Sequence, residues 1–212
     1  NEFMEIAISA ETGGIAGIYS GGTRGNRFSM RLVRCSPQSS DSKKSMPGEE
    51  TQMRCTDHRI LTTNAAIGTI ETSGELIDSN EAILAHFTLR YSLSRGSRTL
   101  MVAGNIDVLH GLEGEPWDNY YAIRAAVANE SSVCRALIRD KMHRPGSRRV
   151  VSPLGVVLDE ADRILTVEDY GLFKLPMPFR PIEEIVAGVA GDKVLGDDLH
   201  MIFISILDAN QQ

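Results

Sequence analysis

Ile83-Leu84-Ala85-His86-Phe87-Thr88-Leu89-Arg90-Tyr91-Ser92-Leu93 puts apolar side chains at positions 83, 85, 87, 89, 91 and 93, with His86, Thr88, Arg90 and Ser92 between them. A repeat of two marks a strand with one face buried and the other in water. A second run, Leu100 to Val108, points Leu100, Val102, Ile106 and Val108 one way and Asn105 and Asp107 the other. Arg95-Gly96-Ser97 between the runs has turn chemistry, so the two are predicted to pair as an antiparallel hairpin.

Outward from that hairpin, short runs with strand character recur along the chain. They are Phe3–Ser9, Gly14–Tyr19, Phe28–Val33, Ile67–Glu71, Tyr120–Ala128, Arg149–Val151, Gly155–Leu158, Ile164–Val167 and Met201–Leu207. The last of these, Met-Ile-Phe-Ile-Ser-Ile-Leu, is apolar on both faces and predicts a central strand covered on both sides. Pro181 to Val189 fits a short helix or a further strand equally well. Many short strands divided by Gly, Asn, Asp and Ser turns predict an all-β sandwich or barrel. Ser36 to Glu50 is almost purely polar. It reads as a long mobile loop inside one domain spanning residues 1–212, not as a linker between two.

Composition narrows the function classes. With 212 residues, 42% of them hydrophobic, the chain has enough apolar surface for one large core. There is no run of 18 apolar residues, so no membrane-spanning helix is expected. Basic residues number 22 against 28 acidic, the wrong balance for gripping a phosphate backbone, so nucleic acid is not an expected partner. The densest basic stretch, Lys141 to Arg149, contains Pro145-Gly146-Ser147 and reads as a solvated turn. Cys35, Cys55 and Cys134 lack metal-like spacing, and an odd number fits reduced structural thiols, which favours the cytoplasm. The five histidines show no chelate spacing, so no metal site is expected. Gly13-Gly14 and Gly21-Gly22 lack the lysine and helix of a phosphate loop and read as tight turns. No carboxylate pair stands out as acid and nucleophile, and no catalytic residue is assigned.

One cluster does stand out: Gly114-Glu115-Pro116-Trp117-Asp118-Asn119-Tyr120-Tyr121-Ala122-Ile123-Arg124. Flat aromatic faces beside charged and amide groups are what sugar recognition needs. In strand geometry Tyr120 and Arg124 share one face while Tyr121 and Ile123 share the other. Two readings stay open. Trp117, Asp118, Tyr120 and Arg124 form a carbohydrate- or domain-contacting patch, or Trp117 and a tyrosine anchor the core while Arg124 pairs with a buried carboxylate.

Thr12-Gly13-Gly14-Ile15, Arg24-Gly25-Asn26-Arg27, Gly96-Ser97-Arg98-Thr99-Leu100, Pro116-Trp117-Asp118-Asn119-Tyr120-Tyr121-Ala122-Ile123-Arg124-Ala125 and Ser152-Pro153 occur in that order. Together they resemble the C-terminal β region of family 38 glycoside hydrolases, the α-mannosidase-like enzymes. The resemblance implies a β-supersandwich like that of galactose mutarotases, and a chain that is the C-terminal part of a longer protein. It implies an accessory role, possible contact with glycan, and an N-terminal catalytic domain of the same chain as partner. Zinc and the catalytic aspartate would belong to that absent domain, so no cofactor is expected in these 212 residues. Two alternatives are a free-standing carbohydrate-binding module and a mutarotase-like epimerase with a histidine acid and a glutamate base.

Overall fold

The computed structural model describes residues 1–20, 28–35, 51–109, 120–127, 133–138, 141–143, 149–152, 156–160, 163–168, 171–174, 184–190 and 200–208. Among these every regular element is a strand. In chain order they are β1 (Met4–Ile8), β2 (Ile15–Ser20), β3 (Phe28–Cys35), β4 (Gln52–Thr63), β5 (Ile67–Ile77), β6 (Ile83–Ser94), β7 (Thr99–Val108) and β8 (Tyr120–Val127). They continue with β9 (Val133–Ile138), β10 (Lys141–His143), β11 (Arg149–Ser152), β12 (Val156–Glu160), β13 (Arg163–Glu168), β14 (Gly171–Lys174), β15 (Glu184–Ala190) and β16 (His200–Asp208). A seven-stranded sheet runs β1-β2-β3-β8-β15-β14-β11, and a nine-stranded sheet runs β10-β9-β12-β13-β16-β7-β6-β5-β4. Seven strands facing nine give the all-β supersandwich.

The predicted hairpin forms: β6 and β7 pair antiparallel from Ala85 opposite Val108 to Leu93 opposite Leu100. Its apolar row, Ala85, Phe87, Leu89 and Tyr91, faces Phe28, Met30 and Leu32 of β3 and Tyr121, Ile123 and Ala125 of β8 in one core. The strand Met201–Leu207 lies within β16, between β13 and β7, the central place in its sheet predicted for it. Of the stretch 181–189, residues 184–189 are strand, within β15, which pairs with β8, and residues 181–183 lie outside the described residues. The basic stretch 141–149 is not all turn: Lys141–His143 forms β10 and pairs with β9, while Arg149 opens β11. Ser36–Glu50 lies outside the described residues.

β4 has no counterpart in the sequence reading. It is the edge of its sheet, and only Met53 along its 12 residues is buried. A strand wet on both faces carries no apolar alternation to reveal it. β5 also runs past the predicted Glu71 to Ile77, through Ser73-Gly74-Glu75. Gly74 sits opposite Cys55, where β4 bulges between Cys55 and Asp57. A Cβ there would collide with the carbonyl oxygen of Arg54 and come within 2.8 Å of the Phe87 ring. The close approach of two strands, not turn geometry, requires glycine at this position.

The two sheets are fastened at the β1–β2 turn. Gly13 has φ of 75°, and its carbonyl points into the nine-stranded sheet. There the hydroxyls of Tyr91 (2.7 Å) and Thr72 (2.9 Å) both donate to it. The amide of Cys55 donates to the carbonyl of Glu11, 2.7 Å away, in the same turn. Burial pushes the Tyr91 phenol well above its ordinary pKa, so it remains a neutral donor. Tyr91→Phe is expected to lower the stability to urea by about 1–2 kcal/mol, since Thr72 still satisfies the carbonyl. Gly74→Ala is expected to cost about 1–3 kcal/mol by overpacking, measured in the same titration.

Candidate functional site

Strand alternation splits β8 as its sequence implies. Tyr121, Ile123 and Ala125 belong to the core, so Tyr120, Ala122 and Arg124 are on the outer face of the seven-stranded sheet. Arg124 is half-buried and stands opposite Arg31 of β3 on one side and Val186 of β15 on the other. Trp117 and Asp118 lie outside the described residues, and for Tyr120 the backbone alone is described. The outer-face position of Arg124 separates it from the apolar core. Arg124→Ala is therefore expected to cost less than the ~3–5 kcal/mol of breaking a fully buried pair, read from the shift in urea midpoint.

A second polar surface emerges on the outer face of the nine-stranded sheet, where residues distant in sequence line up across strands. One rung is Arg54 of β4, Glu75 of β5, His86 of β6 and Asp107 of β7, each opposite the next. The next is Asp57, Ser73, Thr88 and Asn105. A third is Arg59, Glu71 and Arg90. Of the sequence expectations, the exposed polar position of His86 is found here. The partners on β4 and β5 were missed with β4 itself. The signal that pointed towards this face was the polar half of the Ile83–Leu93 alternation.

Charges along the rungs are held in defined pairs. The Nη2 of Arg54 donates to Oε2 of Glu75 at 2.6 Å. Glu71 receives both arginines of its rung. Arg59 donates to Oε1 through Nε, at 2.8 Å, and through Nη2, while Arg90 donates to Oε2 through Nη2 at 2.7 Å and Nε at 3.2 Å. The Glu71 side chain is 6% exposed, against 64% for Arg59 and 45% for Arg90. The arginines lie over the carboxylate and shield it. Hydrogen bonds from Arg90 and then Arg59 hold the Glu71 pKa below its ordinary value, against the opposing effect of burial. Among the described residues no group of histidine, cysteine and carboxylate side chains is arranged to hold a metal, and Cys55 is a free thiol.

No protein-family model matches the chain, and neither does any curated protein sequence. Solved structures do. A bacterial glucoamylase complexed with acarbose superposes with a TM-score of 0.55 at 9% identity, over 99% of this chain and 31% of that one. The Slr1438 protein from Synechocystis sp. PCC 6803 gives 0.53 at 8% identity, over 97% and 92% of the two chains. A galactose mutarotase related enzyme from Lactobacillus acidophilus gives 0.46 at 8% identity, over 98% and 95%. The glucoamylase and Slr1438 share the fold of this chain. Against the glucoamylase, this chain spans 31% of the other's length.

The Glu71 pairing has a pH consequence. Its folded-state pKa is depressed, so its contribution to stability is complete above the unfolded glutamate value of about 4.3 and is lost as pH falls through the folded value. Glu71→Gln is expected to remove that part of the acid limb, flattening the plot of unfolding midpoint against pH below about 4.3. An unchanged acid limb would show that the carboxylate is not held as described.

Proposed function

We propose that this chain is an accessory, carbohydrate-contacting β domain of a glycoside-hydrolase-like protein of the α-mannosidase type. In this reading a separate N-terminal domain of the same chain holds the zinc and performs hydrolysis. The observation that carries the proposal is the exposed lattice of rungs on the nine-stranded sheet. It presents charged, hydroxyl and amide groups at strand spacing, on a face the core does not use. Sugars offer hydroxyls that need such donors and acceptors side by side. The glucoamylase match supports the accessory part of the reading, because there the same fold is a minor share of a longer enzyme chain. Trp117, Asp118, Tyr120 and Arg124 are proposed as a second contact, towards glycan or towards the catalytic domain.

A glycan array probed with the purified chain tests the sugar contact. Binding is expected, and the double variant His86→Ala/Asn105→Ala is expected to weaken it about tenfold, two hydrogen bonds at ~0.5–1.5 kcal/mol each. Both positions are exposed, so stability should stay within about 0.5 kcal/mol of the parent. A correctly folded chain that binds no glycan would refute the reading. Hydrolysis of aryl mannosides that survives repurification would refute the accessory role.

Glu75 directly opposite His86 favours a second reading, the mutarotase-like epimerase, which needs a glutamate base and a histidine acid side by side. Against it, the guanidinium of Arg54 already occupies Oε2 of Glu75, the atom a base would offer to a substrate. Polarimetry on common aldoses separates the two: acceleration of mutarotation abolished by His86→Ala would establish the epimerase.

A further inference from the structure

β4 is the open edge of its sheet, and it carries neither proline nor glycine. The β1–β2 turn engages it only as far as Cys55, whose amide donates to the carbonyl of Glu11. From Thr56 to Leu61 every residue is exposed. An uncovered edge offers backbone donors and acceptors to another strand. Two of the four large apolar side chains exposed among the described residues are here, Ile60 at 68% and Leu61 at 41%. Ile60 stands opposite Ile70, whose own neighbour across the sheet is the core residue Tyr91. Ile60 is thus on the core-facing side, yet the other sheet does not reach it.

We infer that β4 is the contact between two copies of this chain, paired antiparallel and edge to edge about a two-fold axis at His58. Between its two bulges the strand runs in regular register through Asp57-His58-Arg59-Ile60. With His58 opposite its own copy, Asp57 of each copy stands opposite Arg59 of the other, on the outer face. Residues directly opposite lie about 4.5–5.5 Å apart at Cα, closer than the roughly 6.5–7 Å between positions two apart on one strand. Within one copy Asp57 already acts on Arg59 electrostatically, so the pairing has no missing charge to supply. The charges choose the register instead. Moving the axis one residue either way would set Asp57 against Asp57 or Arg59 against Arg59, and like charges directly opposite are destabilising. In the favoured register the rung Arg90–Glu71–Arg59 ends on Asp57 of the second copy, so opposite charges alternate along it. On the core-facing side Ile60 of each copy lies diagonal to His58 of the other and loses water. The same patch serves both copies, so the assembly closes at two.

Sedimentation velocity of the full chain over a concentration series tests the contact. So short a ladder belongs with small interfaces, and a monomer–dimer equilibrium with a Kd of about 0.1 mM is expected. Asp57→Arg and Arg59→Asp, each alone, set like charges across the axis and are expected to weaken self-association about tenfold. Mixed in equal amounts, the two variants are complementary at both positions and are expected to recover the dimer. Should either fail to fold, His58→Cys decides: thiols at the axis come within disulfide reach, so this chain is expected to form a linked dimer under mild oxidation where the wild type does not. A wild type monomeric throughout the series overturns the proposal and leaves the edge to a different partner. A dimer that both single variants leave intact, a mixture that stays monomeric, or a His58→Cys chain that does not link overturns the β4 contact as drawn.

Discussion

The placement of one sheet on the other is fixed most directly at the carbonyl of Gly13, which accepts from the hydroxyls of both Tyr91 and Thr72. Two sheets pressed face to face bury their apolar sides whatever their relative placement, because the hydrophobic effect has no direction. A buried carbonyl has one, since leaving it unpaired costs about 1–3 kcal/mol. The β1–β2 turn therefore docks where both hydroxyls wait. Gly13 belongs there because its φ is positive and because a Cβ would press on Thr72 and Cys55, at 3.1 and 3.3 Å.

That docking also fixes which side of β5 and β6 faces inward. Thr72 and Tyr91 point to the turn, so their neighbours Glu71 and Arg90 must point away. A slip of one residue would bury Glu71 and Arg90 and expose Leu89 and Tyr91, which no compensating contact in the core would offset. The polar face is thus the necessary reverse of the core face, with its order set by the same register.

Much of the fold was readable in the sequence because burial on one face writes itself as alternation. Ile83–Leu93 and Leu100–Val108 show that pattern, and both form strands. β4 did not show it, for an edge strand has little to bury. The rungs were hidden for a sharper reason. Arg54 and Arg59 differ by five positions, so a regular strand would place them on opposite faces. The bulge between Cys55 and Asp57 adds one residue and returns both to the same face. No reading of residue types alone supplies that extra residue. It follows from Gly74 opposite, where the absent side chain lets the two strands close in. The Trp117–Arg124 cluster, by contrast, was legible as a composition. Its face assignment followed from alternation, since Tyr121 and Ile123 went to the core.

The outer face answers to water more than to the fold, and many polar side chains would satisfy that demand. A cross-strand pair of opposite charges contributes only roughly 0.2–1 kcal/mol, and exposed ion pairs are often worth less. Glu71 needs one guanidinium to balance its charge, as Glu75 has in Arg54. A second arginine on the same carboxylate brings like-charge repulsion across the rung and the entropy of another ordered long side chain. Asp57, on the same face of β4, supplies the other negative charge, since it acts electrostatically on Arg59 and so brings the two guanidiniums against two carboxylates.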